Sequence, residues 1–167
     1  RSDNRAEYLK GFPWHPHRGI DTITYVLKGD IEHGDSLGNS GIISDGDVQW
    51  MTAGSGIIHQ EMPKGNERAE MHGFQLWLNL PRKEKMGPPR YRDIRSDEIA
   101  LLYHGDGAVT RIICGHVDGV SGPVTGISSD PQYLDITLPP NRRYTHPTPS
   151  GYTAMAYVTG GAGSFEP

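Results

Sequence analysis

The sequence predicts a protein built almost entirely of β-strands, and its composition and patterning indicate this class in three ways. Twenty-two glycines and 13 prolines among 167 residues leave little room for long helices. Runs rich in Val, Ile, Thr and Tyr are bounded by glycine, which is typical of strands. The clearest run, GIDTITYVLKG at residues 19–29, follows the two-residue period of a pleated strand. An all-β fold is therefore expected.

Length, charge and cysteine content exclude several functions. The 18.4 kDa chain, with 35% hydrophobic residues, can bury one sizeable core, or one core and part of another. A net charge of −4 without basic runs argues against direct binding to nucleic acid. No apolar run approaches the roughly 18 residues of a membrane span and no signal-peptide pattern is present, which predicts a cytoplasmic protein, or a nuclear one in a eukaryote. Since Cys114 is the single cysteine, metal ligands must be nitrogen and oxygen atoms.

An internal similarity predicts two related β units. The segment at 19–29 aligns without gaps on GYTAMAYVTGG at 151–161, and each predicts a strand followed by a glycine turn. Between them, PRKEKMGPPRYRDIRSDEI at 81–99 is proline-rich and charged without a clear period. We expect residues 81–99 to form a surface connection between the units.

The unit boundaries follow from this connection. We assign the first unit to residues 1–80, with a further contribution expected from strands within 100–115, and the start of the second unit to 110–167. The chain begins with Arg1 rather than methionine and stops within a predicted hairpin. These two features predict a piece of a longer protein.

Two short motifs place metal-binding side chains on extended segments. His15 and His17 stand at i and i+2 in FPWHPHRGID, where Pro16 favours extended backbone. His59 and Glu61 have the same spacing in GSGIIHQEMP, after a glycine-rich turn. Because residues at i and i+2 of a strand project to one side, each pair can contact one ion. On neighbouring strands, the two pairs would form a site with four ligands.

The donor set limits the choice of metal. Three imidazoles and one carboxylate suit a divalent first-row ion, so iron(II), manganese, nickel, copper and cobalt all remain candidates, and zinc is less favoured. An ion that prefers six ligands would keep two positions open for substrate or dioxygen. This is a catalytic rather than a structural arrangement.

The histidines also have a simpler interpretation than a metal site. Histidines in turns often bond only a backbone carbonyl, and either motif alone is a weak signal. The occurrence of both in one β-rich chain favours the metal site. The other histidines before the second unit show no partner at metal spacing and are expected in the core or on the surface: His33, His72, His104 and His116. His146 also stands alone, which predicts a second unit without metal.

The quoted motifs carry a resemblance to a known family. FPWHPHRGIDTITYVLKGDIEHGDSLGNSG, GDVQWMTAGSGIIHQEMP, MHGFQLWLNLP and KMGPPRYRDI resemble the pirin family of bicupins, over essentially the whole chain. The resemblance implies two stacked cupin barrels of the double-stranded β-helix or jelly-roll type. This chain would hold most of the first barrel without its first strands, the linker, and the opening of the second. It also implies that the metal ligands are His15, His17, His59 and Glu61, with iron as the usual metal.

The resemblance implies two alternative functions. One is a dioxygenase similar to quercetin dioxygenases, which opens the ring of a flavonol with dioxygen. The other is an iron-binding, redox-responsive co-regulator that binds a transcription factor or another protein. If the chain is an enzyme, Glu61 is expected both to bind the metal and to accept the hydroxyl proton of the substrate. The simpler alternative is that Glu61 only neutralises charge.

Asp21 departs from the wider cupin pattern, which carries a glutamate ligand shortly after its first histidine pair. Pirins take their carboxylate from the second motif instead. We therefore expect Asp21 to be structural and to bond Arg18 or a turn amide.

Overall fold

The computed structural model describes residues 2–165 and shows strands connected mainly by short turns. Arg1, Glu166 and Pro167, at the outer ends of the two predicted units, lie outside the described residues. The elements in chain order are α1 (Arg5–Tyr8), β1 (Phe12–His17), β2 (Ile20–Lys28), β3 (Asp30–Asp35), β4 (Ser40–Ile43), β5 (Val48–Thr52), β6 (Ile57–Gly65), β7 (His72–Asn79), β8 (Arg90–Ile94), a 3-10 turn (Ser96–Glu98), β9 (Ala100–Tyr103), β10 (Val109–Cys114), β11 (His116–Val117), β12 (Val120–Ser121) and β13 (Tyr133–Thr137).

Two antiparallel four-stranded sheets face each other. The first, called here the histidine sheet, has the order β1-β6-β3-β4, and the second, called the central sheet, has the order β7-β2-β5-β8. Val26 of the central sheet packs with Ile31 and Ile43 of the histidine sheet. Facing sheets of this kind form a jelly roll, and here they do not close into a continuous barrel. The predicted all-β class is confirmed.

A third sheet covers the other face of the central sheet. It has the order β13-β10-β9, and Ile113 of β10 packs in one core with Ile23 and Trp50 of the central sheet. The Tyr25 hydroxyl donates a hydrogen bond to Asp135 Oδ2 at 2.6 Å and so joins β2 to β13. As a result β2 is buried on both faces, although its sequence alternates like a strand with one face in water.

The segment predicted as a surface connection also contains a strand. Within residues 81–99, β8 forms an edge of the central sheet by pairing with β5, and Ile94 is fully buried. Five residues with one buried anchor are too few to show a period in the sequence. β8 thus adds an edge strand to the central sheet, whereas β9 and β10, from the range 100–115, belong to the third sheet.

The strand predicted at 151–161 is not formed. Residues 151–165 carry no strand in the structure and are exposed along their length. An isolated strand leaves its backbone groups without ladder partners, and no described strand pairs with this segment. The sequence similarity to β2 therefore does not extend to the same local structure.

Candidate metal centre

Three of the four predicted ligands meet between the facing sheets. β1 pairs with β6, and the register places His15 opposite His59. The Nε2 atom of His15 lies 3.0 Å from that of His17 and 3.0 Å from that of His59. One ring nitrogen from each of the three lies within 4.8 Å of the others, a spacing that can hold one metal ion. We call His15, His17 and His59 the histidine cluster.

The backbone fixes the orientation of one imidazole. His15 Nδ1 lies 2.8 Å from the carbonyl oxygen of Pro13. Because a carbonyl only accepts hydrogen bonds, Nδ1 carries the proton and Nε2 presents its lone pair to the cluster. Metal-binding histidines in proteins are commonly oriented in this way.

Burial keeps two of these rings in the neutral form that binds metal. His59 is almost completely buried, and desolvation, followed by the neighbouring His15 and His17, lowers its pKa to about 4. Desolvation, followed by His15, also lowers the pKa of His17. Both imidazoles are therefore uncharged near neutral pH, with lone pairs available.

Glu61 occupies a different position from the three histidines. It is buried on the same strand as His59, two residues further on. Its Oε1 accepts a hydrogen bond from Thr24 Oγ1 at 2.7 Å, and its Oε2 accepts one from Gln75 Nε2 at 2.5 Å. Its oxygens are not part of the histidine cluster. The facing central sheet thus holds the carboxylate beside the cluster through hydrogen bonds.

The two sequence motifs did not predict the residues of the central sheet that contact this site. Thr24 and Gln75 contact Glu61, and Trp77 lies against His17 with ring centroids 5.2 Å apart. Gln75 and Trp77 alternate on β7 within HGFQLWLN, which is the period of a strand with one face toward the site. The alternation is visible in the sequence, but only the pairing of the sheets shows which face of β7 lies toward the site.

A cavity adjoins Glu61. It has a volume of about 340 Å³ and a largely apolar lining that includes Phe12, Ile31 and Met71 together with Glu61 and Gln75. Neither the histidine cluster nor Trp77 lines it. A volume of this order is at the lower end of the range for small-molecule sites.

Asp21 is structural, but its expected partners are wrong. Its Oδ2 accepts a hydrogen bond from Trp50 Nε1 at 3.0 Å in the buried layer between the central and third sheets. Arg18 instead approaches the sulfur of Met86 at 3.1 Å. Successive side chains of a strand point to opposite faces of the sheet. Asp21 therefore faces the third sheet, on the side opposite to Thr22 and Thr24.

The remaining histidines lie outside the cluster. His33 is buried, and its Nδ1 lies 2.6 Å from the Tyr91 hydroxyl. His116 is exposed and contacts Ser121, and His146 Nε2 lies 2.6 Å from Gln132 Oε1. His33 thus lies in the core and His116 on the surface, in agreement with the expectation for these two residues.

The fold and the cluster together define a class, a cupin-type jelly roll with three histidines between its sheets. The pirin family model matches residues 1–78. Several relatives carry the name "Putative quercetin 2,3-dioxygenase". That of Thermoplasma acidophilum is 48% identical over 95% of this chain and 68% of its own length, and that of Pseudomonas aeruginosa is 43% identical over 96% of this chain and 58% of its own length. The chain belongs to the pirin family.

A solved structure supports the same assignment. The crystal structure of quercetin 2,3-dioxygenase from Acinetobacter baumannii matches with a TM-score of 0.63 and 38% identity, covering 71% of this chain and 42% of that chain. The chain thus spans part of the length of these proteins. Among residues 2–165, no helix is long and apolar enough to cross a membrane.

Proposed function

We propose that this chain carries the metal centre of a dioxygenase that acts on flavonol-like substrates, with the histidine cluster and Glu61 as metal ligands. The observation that carries the proposal is the convergence of three imidazole Nε2 atoms between the sheets, two pairs of them 3.0 Å apart. The lowered pKa values of His17 and His59 support it, because a metal ligand must be unprotonated. The names of the relatives support the choice of reaction.

The spacing of the nitrogens allows all three to contact one ion. Two nitrogens about 2.1 Å from one ion are about 3.0 Å apart at a right angle and about 3.4 Å apart at a tetrahedral angle. The two separations of 3.0 Å are close to the right-angle value, and all three nitrogens lie within 4.8 Å of one another. We propose iron(II), with manganese, nickel, cobalt and copper as alternatives and zinc as the least favoured, because three imidazoles and one carboxylate suit a divalent first-row ion.

The site has the charge to hold an anionic substrate oxygen. A divalent ion with three neutral imidazoles and one carboxylate leaves a net charge of about +1, which favours binding of a deprotonated hydroxyl. Glu61 accepts the proton released when the hydroxyl O–H bond breaks, since it is the carboxylate held beside the cluster. Each of its oxygens accepts one hydrogen bond, from Thr24 or from Gln75, and keeps a second lone pair that can take the proton.

Metal analysis of a histidine variant tests the site. We expect the full chain to bind one metal equivalent. His59→Ala should bind the metal at least roughly tenfold more weakly, because the two remaining imidazoles cannot complete the ligand set. His116→Ala is the matched control, since His116 is exposed and outside the cluster. Stoichiometric metal in His59→Ala would contradict the assignment of the ligands. A second metal that His146→Ala removes would contradict the prediction of a second unit without metal.

An activity measurement tests the reaction. The full chain loaded with iron(II) should bleach the absorbance of quercetin in air and not under nitrogen. A metal-loaded protein that leaves quercetin unchanged in air would exclude the enzymatic function and favour the alternative, a co-regulator that binds another protein.

A further inference from the structure

An exposed tryptophan stands beside the histidine cluster. Trp77 on β7 is 65% exposed, although large aromatic side chains are normally mostly buried. Its ring meets the His17 imidazole at a centroid distance of 5.2 Å and an interplanar angle of 79°. An open aromatic surface is therefore held next to the proposed metal ligands.

This ring is anchored despite its exposure. Trp77 Nε1 donates a hydrogen bond to Gln75 Oε1 at 3.0 Å. The amide nitrogen of Gln75 donates to Glu61 Oε2 at 2.5 Å and approaches Thr24 Oγ1 at 3.2 Å. Trp77 is thus connected to Glu61 through one side chain, and a ring held in this way loses little conformational freedom when a ligand binds.

A second exposed tryptophan, Trp14, lies on a different face from Trp77. It is also largely exposed, at 54%, but it lies on the outer face of the histidine sheet over Gly34. Its neighbours His15 and His17 point the opposite way, toward the interior. Trp14 therefore offers a matched control, a second exposed tryptophan that does not face the site.

We propose that Trp77 is a substrate-binding residue that stacks against a planar aromatic ligand whose anionic oxygen faces the histidine cluster. The electron-rich indole face favours flat aromatic rings, and its distance from His17 places such a ring within reach of the cluster. Gln75 acts as a positioning residue for both Trp77 and Glu61. The proposal rests on the proposed function, since it takes the ligand to be the substrate.

Binding of quercetin to the full chain under nitrogen tests the proposal, because no turnover occurs without dioxygen. By titration calorimetry, Trp77→Leu should weaken binding about threefold to tenfold, the range of an aromatic stacking contact. Trp77→Phe retains a ring and should remain within about twofold of the parent. Trp14→Leu should bind as the parent does. The quenching of tryptophan fluorescence by quercetin should fall in Trp77→Leu and remain in Trp14→Leu.

Three results would overturn the proposal. The first is parent affinity in Trp77→Leu, and the second is an equal loss in Trp14→Leu. The third is a parent chain that does not bind quercetin. Phe12→Leu adds a direct comparison, since Phe12 lines the cavity beside Glu61. A loss of affinity in Phe12→Leu with none in Trp77→Leu would place the ligand in that cavity instead.

Metal content separates this proposal from the proposed function. Trp77→Leu leaves all four proposed ligands in place, so its metal stoichiometry should equal that of the parent. If the parent holds no metal but binds quercetin in a Trp77-dependent way, the proposed function fails and the stacking contact stands. If the parent holds metal and oxidises quercetin while Trp77→Leu binds it equally well, only the stacking contact fails.

Discussion

Glu61 is held by the sheet opposite its own strand. Both of its oxygens accept hydrogen bonds from the central sheet, from Thr24 and from Gln75. Buried carboxylates need such partners, because an unpaired charge in the interior is costly. The same two bonds aim the carboxylate beside the histidine cluster, where a proton acceptor is required by the proposed reaction.

Glu61→Gln separates proton transfer from metal binding. The amide keeps the size and one ligating oxygen of the carboxylate but cannot accept a proton at neutral pH. We expect iron to remain bound and turnover of quercetin to fall by roughly 10²-fold or more, the usual loss for a general base. Turnover near the parent rate with iron retained would refute the base role. Glu67→Gln, at an exposed position, is the control.

Cys114 should react slowly in the folded protein. Burial in the core between the central and third sheets raises the pKa of its thiol to about 11. At pH 8 very little thiolate is present, and the sulfur is shielded from solvent. We expect a disulfide reagent to label the native chain at least roughly 100-fold more slowly than the chain in denaturant. Equal rates would show that the third sheet does not cover this face.

At the scale of elements, the turn between β5 and β6 sets the start of the strand that carries His59 and Glu61. Gly54 lies in this turn at φ +50, and its carbonyl accepts a hydrogen bond from Gly19 N at 2.8 Å. A Cβ atom at Gly54 would overlap the backbone carbonyl of Gly87. The turn is therefore packed against two other segments and requires glycine for both conformation and space.

Gly54→Ala should destabilise more than a matched glycine substitution. Gly38 also has a positive φ, +89, but a Cβ there would meet nothing within 4 Å. Gly38→Ala should lower the free energy of unfolding by about 1 kcal/mol, the cost of the backbone conformation alone. Gly54→Ala should cost at least about 2 kcal/mol, because the overlap with the Gly87 backbone adds to it. Urea denaturation measures the free energy of unfolding of both variants. Equal losses would show that the turn adjusts to accommodate the added methyl group.

For the whole molecule, the packing of the histidine sheet against the central sheet buries His17 and His59 and so links stability to pH. In the metal-free chain, the pKa of His59 is about 4 when folded and near 6.5 when unfolded, and that of His17 is also lowered on folding. Between these values the unfolded chain binds more protons, so acidification favours unfolding. Stability is fully present above about pH 6.5 and is lost as the pH falls toward 4.

Denaturation of the chelated protein at several pH values measures this loss. Each histidine should contribute a slope of up to about 1.4 kcal/mol per pH unit in the window below pH 6.5. His59→Gln should reduce the slope, because its side chain does not titrate. An unchanged slope in His59→Gln would show that His59 is not the group responsible.

The local sequence determined the features that depend on neighbouring residues. The period of residues 19–29 determined strand β2, and the spacing of His15 with His17 placed both imidazoles on one side of β1. The same spacing placed His59 and Glu61 on one face of β6. These features follow from the two-residue geometry of an extended chain, which any strand imposes whatever its surroundings.

Only the tertiary structure decided which strands meet. It placed β1 beside β6, so that the two motifs share one site, and it set Gln75 against Glu61 and Trp77 against His17. It also made β8 an edge of the central sheet and left residues 151–161 without a strand. Strand pairing and register between distant segments are chosen by which arrangement buries the most apolar surface with its hydrogen bonds satisfied, and that choice is not contained in any one segment.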